Sequence, residues 1–132
     1  ANLLVDAGAV IRVAGMPSGD RFGDTTGLST GGYIAVVSDR EIAGRADCRG
    51  GWGHNQPYSV YFYIRLSAPI VRHMARSASG TSATGVIDGA ESRLAVATAA
   101  CERLEASVGI SYASVAHARA SVDREIAGRG FD

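Results

Sequence analysis

The hydrophobic positions alternate most regularly between Tyr58 and Leu66. Every second residue of this segment is apolar, and consecutive side chains of a β-strand point to opposite faces of a sheet. The pattern therefore predicts a strand with one buried face. The opposite face is amphipathic, which predicts that it is either half-solvated or packed on a neighbouring domain. The apolar face consists of Tyr58, Val60, Phe62, Ile64 and Leu66, and the opposite face of Ser59, Tyr61, Tyr63 and Arg65.

Short apolar stretches separated by glycine occur along most of the chain, and this spacing is typical of an all-β protein with many turns. The other predicted strands are Leu3 to Val5, Ala9 to Val13, Gly32 to Val37, Gly85 to Ile87, Leu94 to Ala99 and Ser107 to Tyr112. Asp39 to Arg45 is predicted to continue the strand before it through a turn near Gly44. Loops are predicted for Met16 to Thr30, Arg49 to Pro57 and Ser77 to Gly85.

The hydrophobic period changes near the end of the chain, from alternation to spacings of three and four. Such spacing places apolar side chains on one face of an α-helix. Ser114 is a suitable N-cap, and Gly128 stands where a C-cap glycine belongs. A helix is therefore predicted over about residues 114–127. Its apolar positions are Val115, Ala118, Val122 and Ile126.

One heptapeptide, Asp-Arg-Glu-Ile-Ala-Gly-Arg, occurs twice, at Asp39 to Arg45 and at Asp123 to Arg129. The surrounding patterns predict strand and turn for the first copy and helix for the second. Two copies do not indicate a repeat protein, because repeat architectures need a fixed period.

The length and the net charge of the chain argue against some classes of protein function. The 132 residues make one domain, or a fragment of one, that is long enough to form a single core. The 13 basic and 13 acidic residues cancel, which argues against a nucleic-acid-binding face. No apolar run approaches the ~20 residues that a membrane-spanning helix needs. Neither nucleic acid nor a membrane span is therefore expected.

Cysteine and histidine spacing does not indicate a metal site. Cys48 and Cys101 are far apart, and neither belongs to a Cys-x-x-Cys pair. They form either one disulfide in an oxidising compartment or two buried thiols, and the sequence leaves both open. His73 and His117 have no partner at metal-ligand spacing and are interpreted as surface histidines.

The loop before the most regular strand combines Trp52, His54 and Asn55 between glycines. An aromatic ring packs against the apolar C–H face of a sugar, while amide and imidazole groups hydrogen-bond its hydroxyls. The loop therefore predicts a substrate-binding site for a carbohydrate at these three residues. The same residues are also consistent with an exposed turn whose tryptophan packs at a hydrophobic edge.

The acidic residues do not indicate a catalytic site. A glycosidase needs two carboxyl groups on either side of the scissile bond. Asp20 and Asp24 lie close together in one predicted loop, and Glu102 and Glu105 at one strand end. Nothing else marks a site beside either pair, so both are interpreted as solvated turn residues.

Several segments occur in an order that points to one protein family. Val108-Gly109-Ile110-Ser111-Tyr112-Ala113-Ser114 is followed by an alanine-containing helix and then by Phe131-Asp132. Leu3 to Gly8, Glu41 to Gly44 and Tyr58 to Pro69 precede it. Together these segments resemble part of the N-terminal β-sandwich domain of family 92 glycoside hydrolases, which are α-mannosidases.

The resemblance implies an antiparallel two-sheet β-sandwich with a C-terminal α-helix. It also implies a calcium-dependent, exo-acting bacterial α-mannosidase that is secreted or held in the cell envelope and acts on mannose-containing glycans. In that family a helical catalytic domain holds the general acid, the general base and the calcium ion. This chain is therefore expected to be the non-catalytic scaffold and substrate-subsite portion, with the helical domain, in the same or another chain, as its partner. The surface that faces that domain is expected at Tyr61, Tyr63 and the apolar helix face.

The alternative is a stand-alone carbohydrate-binding or protein-interaction β-sandwich module. It predicts a self-contained fold without an exposed apolar face, and a sugar bound near Trp52 and His54. In both cases the catalytic carboxylates are expected to lie outside this chain.

Overall fold

The computed structural model describes residues 2–6, 28–49, 56–77, 79–89 and 92–126. Within these ranges the chain forms nine strands and one helix. The elements are β1 (Asn2–Asp6), β2 (Leu28–Val36), β3 (Glu41–Arg49), β4 (Pro57–Leu66), β5 (Ile70–Ser77), β6 (Gly80–Ser82), β7 (Val86–Asp88), β8 (Arg93–Thr98), β9 (Ala106–Ser111) and α1 (Val115–Glu125).

The strands form two antiparallel sheets. The four-stranded sheet has the order β1-β8-β5-β6, and the five-stranded sheet has the order β7-β2-β3-β4-β9. Every strand pair in both sheets is antiparallel. The expected two-sheet β-sandwich with a C-terminal helix is confirmed.

Side chains from both sheets meet in one core. Burying an aliphatic or aromatic side chain of this size contributes about 1.5–3 kcal/mol, so the alternation of apolar residues determines which face of each strand lies inside. The predicted apolar face of β4 is confirmed, with Tyr58 partly buried and the other four residues buried. The core includes Val5, Ile34, Ile42, Phe62, Ile64, Leu66, Ala75, Leu94 and Val96.

The outer face of β4 is covered by the chain's own helix. Tyr63 is only 1% exposed and packs with Ala43, Ala118 and Val122 in a second apolar cluster. The expectation that Tyr63 and the apolar helix face would be exposed to another domain is therefore wrong. Tyr63 is covered because α1 folds back over the sheet directly after β9. Tyr61, on the same face, is half-buried.

α1 packs on β9 at Gly109. A Cβ atom at this position would overlap the carbonyl oxygen of Ala118 and lie 2.9 Å from Cγ2 of Val122. The missing side chain therefore allows the helix backbone to approach the strand closely. Gly109 is opposite Tyr63 in the β4–β9 pair, so the two residues form part of the surface on which the helix packs.

Both ends of α1 are capped. Ser114 is extended, and its side chain accepts a hydrogen bond of 3.1 Å from the backbone N–H of His117, which confirms the predicted N-cap. The C-cap is Ile126, whose N–H bonds to the Val122 carbonyl, and the predicted C-cap Gly128 lies outside the described residues. No helix in the described ranges is long and apolar enough to cross a membrane.

β9 is an edge strand that the other sheet covers only partly. Val108 and Ile110 lie opposite Ile64 and Phe62 and therefore point toward the core side. They are nevertheless 54% and 53% exposed. Among the described residues, the four-stranded sheet therefore does not extend across β9.

Several predicted boundaries differ from the structure. Gly44 lies inside β3 and not at a turn, because the turn that ends β2 comes earlier, where the Val37 N–H bonds to the Glu41 carbonyl at 2.9 Å. The first heptapeptide copy is thus turn and strand, while Asp123 to Glu125 of the second copy is helical. Unpredicted strand structure is found at Leu28–Thr30, Ile70–Ser77 and Gly80–Ser82, and the predicted strand Ala9 to Val13 lies outside the described residues.

β5 was missed because its outer face mixes apolar and charged residues. Val71, Arg72, Met74 and Arg76 are all exposed, whereas Ala75 and Ser77 are buried. A register shift between Ile70 and Arg72 further interrupts the alternation. The period of two that marks β4 is therefore weak here.

The two cysteines are not paired. Cys48 is buried in the core on β3, and Cys101 is exposed between β8 and β9. Of the two possibilities, a disulfide and two buried thiols, the structure has two free thiols of which only one is buried.

We expect Gly109→Ala to lower the free energy of unfolding by about 1–3 kcal/mol, because the added methyl group forces α1 away from β9. Urea unfolding followed by circular dichroism measures the change. Gly31→Ala is the matched control, since its added Cβ would meet nothing nearer than Asp47 Oδ2 at 3.4 Å. Equal stability of the two variants would contradict the close packing of the helix.

Thiol labelling of the native protein should show one fast-reacting cysteine. Burial, and secondarily the charge of Asp47, raises the pKa of the Cys48 thiol, so it should react only on unfolding. Cys101→Ser should abolish the fast phase seen with Ellman's reagent. A chain in which neither thiol reacts until a reductant is added would instead have a disulfide.

Candidate functional site: the outer face of the five-stranded sheet

The predicted sugar-binding residues lie in the connection between β3 and β4. Trp52, His54 and Asn55 are outside the described residues. The two ends of their connection are defined, because Arg49 pairs with Pro57 and the strands remain in register from there. The connection therefore leaves the five-stranded sheet at the end where β3 and β4 meet.

A row of large side chains crosses the outer face near this end. Tyr33, Arg45 and Tyr61 are cross-strand neighbours on β2, β3 and β4, and we name them the tyrosine–arginine row. Asp47 and Ser59 are opposite each other one step closer to the β3–β4 connection. All five side chains are half-buried, so each retains a surface in contact with solvent.

Arg45 and Asp47 form an ion pair within this surface. Arg45 Nη2 donates to Asp47 Oδ2 at 3.0 Å, and Ser59 Oγ donates to Asp47 Oδ1 at 2.6 Å. Arg45 Nε is 2.9 Å from Oδ1 but is not aligned for a hydrogen bond. The guanidinium carbon is 5.8 Å from the ring centre of Tyr33. Hydrogen bonding to Asp47, followed by the charge of Asp47, raises the pKa of Arg45, so the guanidinium stays charged.

The β2 backbone bends beside this pair. A register shift separates Ser29 from Gly31, and Gly32 has φ = +126°, a conformation that side chains rarely adopt. Such irregularities locally twist a strand and often re-aim side chains near functional sites. Gly31 has no side chain of its own, so the surface next to Asp47 stays open.

A second polar group fixes α1 beside the tyrosine–arginine row. Tyr63 Oη donates to Glu41 Oε1 and accepts from Arg65 Nε and Nη2 at 3.2 and 3.0 Å. Arg65 Nη2 also donates to Asp123 Oδ1 at 2.7 Å, and Arg119 Nη2 is 3.3 Å from Glu41 Oε1. We name these five residues the helix clamp, since they join two strands to the helix.

The helix clamp sets the ionisation of its members. Hydrogen bonds, first from Tyr63 and then from Ser38, lower the pKa of Glu41, and nearby arginines act in the same direction. Burial, followed by the hydrogen bond to Glu41, raises the pKa of Tyr63. The carboxylate therefore stays ionised and the phenol neutral, and both groups stabilise the helix on the sheet.

The other candidate residues form no site in the described ranges. Glu102 is exposed, and Glu105 pairs with Arg103. His117 is exposed, and His73 is half-buried on β5. Asp20 and Asp24 lie outside the described residues. Within those ranges, no three His, Cys, Asp or Glu side chains are grouped as a possible metal site.

The tyrosine–arginine row was not found from the sequence. Polar or small residues alternate with apolar ones along β3, with Ile42, Ala46 and Cys48 on the inner face. This signal is the one that identified β4. The predicted turn at Gly44 divided the strand and concealed it.

Of the comparisons with known proteins, only the one with solved structures finds proteins similar to this chain. No family model and no curated protein matches the sequence. Among solved structures, the family GH92 α-mannosidase BT3965 from Bacteroides thetaiotaomicron covers 78% of this chain with a TM-score of 0.67 and 18% identity. The family GH92 inverting mannosidase BT2199 from Bacteroides thetaiotaomicron VPI-5482 covers 97% with a TM-score of 0.66 and 15% identity. The GH92 glycosyl hydrolase ccman5 covers 83% with a TM-score of 0.64 and 18% identity.

The chain therefore has the fold of a domain found in glycoside hydrolases of family 92, and the resemblance seen in the sequence is confirmed at the level of the fold. The chain spans 15%, 15% and 16% of the lengths of those three chains.

The stability that Glu41 contributes should depend on pH. Its folded pKa is below the ordinary 4.5, so the contribution is complete above about pH 4.5 and is lost as the pH falls through the folded value. We expect Glu41→Gln to lower the free energy of unfolding at pH 7 by about 1–2 kcal/mol. The difference from the wild type should shrink toward pH 3, as measured by urea unfolding.

Glu102→Gln is the matched control, because Glu102 is exposed between β8 and β9 and lies outside the helix clamp. Its unfolding curves should follow the wild type at both pH values. A Glu41→Gln deficit that stays constant from pH 7 to pH 3 would rule out an ionised Glu41 as the stabilising group.

Proposed function

We propose that the chain is the non-catalytic scaffold and substrate-subsite portion of an exo-acting α-mannosidase. The observation that supports this is the match of 78–97% of the chain to family GH92 structures. The proposed substrate is a mannose-containing glycan. The proposal includes the bacterial source and the secreted or cell-envelope location implied by the sequence resemblance.

The acidic residues support a non-catalytic role. A general acid needs a carboxyl group whose pKa is raised toward the working pH. The carboxylates at the sheet surface instead face arginines, and the pKa of Glu41 is lowered. The ion pairs are Arg45–Asp47, Arg65–Asp123, Arg103–Glu105 and Arg119–Glu41.

Catalysis is assigned in this proposal to a helical domain in the same or another chain. The calcium ion implied by the resemblance is assigned there too, because the described residues of this chain contain no group of ligands that fits a metal. The chain's own contribution is to position sugar-contacting residues at the edge of the cleft.

Trp52, His54 and Asn55 are the proposed sugar contacts. Their connection leaves the sheet next to Asp47 and Ser59, where side chains already supply hydrogen-bonding groups. The indole is suited to the apolar face of a pyranose, and the imidazole and amide to its hydroxyls.

One observation favours the alternative, a stand-alone carbohydrate-binding or protein-interaction module. Tyr63 and the apolar side of α1 cover each other, so this part of the sheet is shielded within the chain itself. The two proposals differ in affinity. A stand-alone module binds its sugar fully by itself, whereas a subsite portion binds weakly until the catalytic domain completes the cleft.

Trp52 provides the test, since it is the only tryptophan in the chain. Methyl α-mannoside and α-linked mannobiose should shift or quench its fluorescence in a saturable way, because a sugar that packs on the indole excludes water from it. Methyl α-glucoside is the matched sugar control, and His54→Ala should weaken the mannoside response.

Hydrolysis is measured in the same samples with an aryl α-mannoside. No release of the aryl group above background is expected from this chain. Release that depends on the folded chain would contradict the non-catalytic role. A silent tryptophan together with no heat of binding for any mannoside would overturn sugar binding at this connection.

A further inference from the structure

The tyrosine–arginine row contains side chains of the kinds that bind sugars, and it lies outside the loop that was predicted to bind one. Tyr33 and Tyr61 are on strands separated by one intervening strand, so their backbones are roughly 9.5 Å apart. Two half-buried aromatic side chains on strands this far apart can contact different units of an oligosaccharide. The guanidinium of Arg45 lies between them and stacks near Tyr33.

Hydrogen-bonding groups remain available beside the rings. A carboxylate has about four lone-pair sites, and among the described residues Arg45 and Ser59 donate to those of Asp47. Ser59 Oγ donates to Asp47, and its lone pairs can accept from a hydroxyl group. Such neighbouring donors and acceptors fit the adjacent hydroxyl groups of a pyranose.

The charge of this surface favours a neutral ligand. Arg45 is paired with Asp47, and the two side chains are 39% and 27% exposed. The exposed Arg49 and Asp88 continue the same face on β3 and β7 and carry opposite charges, so the charges of this face balance. The Asp47 carboxylate would repel a phosphate or a nucleic-acid backbone, whereas a neutral sugar does not experience this repulsion. A polyhydroxylated, uncharged chain therefore matches the site better than an anion.

Among the described residues, the surface beside the row leaves room for a ligand to extend. Gly31 leaves space next to Asp47, and α1 bounds the row on the Tyr63 side. In the opposite direction the strands continue to Arg49 and Pro57, the two ends of the β3–β4 connection.

We propose that the tyrosine–arginine row, with Asp47 and Ser59, is a second contact surface for a neutral glycan chain. Tyr33 and Tyr61 pack on successive sugar rings, and the Arg45–Asp47 pair and Ser59 hydrogen-bond their hydroxyls. The choice of an α-mannoside as the ligand rests on the proposed function, but the residue assignment does not.

The test compares mannose with mannotriose on the wild type and on variants, by calorimetry and by NMR of the tyrosine ring protons. Mannotriose should bind more tightly than mannose, because only the longer glycan reaches both rings. Tyr61→Ala and Tyr33→Ala should each weaken mannotriose binding roughly three- to tenfold, so that the advantage of mannotriose over mannose shrinks. Tyr61→Phe keeps the ring and should keep most of the affinity.

Tyr112→Ala is the matched control, since Tyr112 is 76% exposed and lies beyond the end of β9, outside the row. Its affinity should equal that of the wild type. If an alanine variant fails to fold, ring-proton shifts of Tyr33 and Tyr61 in the wild type on adding mannotriose give the same information.

The outcomes separate this proposal from the proposed function. Mannotriose binding that Trp52→Ala abolishes, with both tyrosine variants unaffected, would overturn the platform and leave the mannoside function standing. Binding of cello- or xylo-oligosaccharides that depends on Tyr33 and Tyr61, without mannoside binding, would support the platform and overturn the mannoside. No glycan binding, with the row buried instead by a second protein domain, would overturn the platform and leave the scaffold role standing.

Discussion

The approach of α1 to β9 at Gly109 determines what the outer face of the five-stranded sheet can present. Because the helix backbone rests on that glycine, Tyr63 is covered and its hydroxyl is directed at Glu41 and Arg65. The next row of the same face lies beside the helix and not beneath it. A bulkier residue at this position would displace the helix and separate Asp123 and Arg119 from Arg65 and Glu41.

Charges on this face are neutralised over short distances. Arg45 faces Asp47, and Arg65 faces Asp123, so each of these two arginines has a carboxylate partner on this face. A carboxylate kept ionised by hydrogen bonds is a poor proton donor at neutral pH. Glu41 is such a carboxylate, and the arginine–carboxylate pairs of this face leave many hydrogen-bonding atoms at the surface.

Local pattern was sufficient for part of this architecture. The alternation in β4 predicted its buried face, and Ser114 predicted the start of α1, because both signals lie within a few residues. The helix clamp was not predictable, since Arg65 and Asp123 are 58 residues apart and meet only in the folded chain. The tyrosine–arginine row was missed because a turn was predicted at Gly44, which lies inside β3. The role of Trp52 stays a prediction, as it lies outside the described residues.

The order of the strands along the chain has a consequence for folding during synthesis. All four strands of the four-stranded sheet precede β9, so that sheet can be complete while the five-stranded sheet still lacks its edge. Tyr63 and Glu41 emerge from the ribosome long before Arg119 and Asp123. Until the helix is translated, an aromatic ring and a carboxylate that end up shielded remain in water. During folding on the ribosome, the helix that covers the outer face of the five-stranded sheet therefore packs after the strands beneath it.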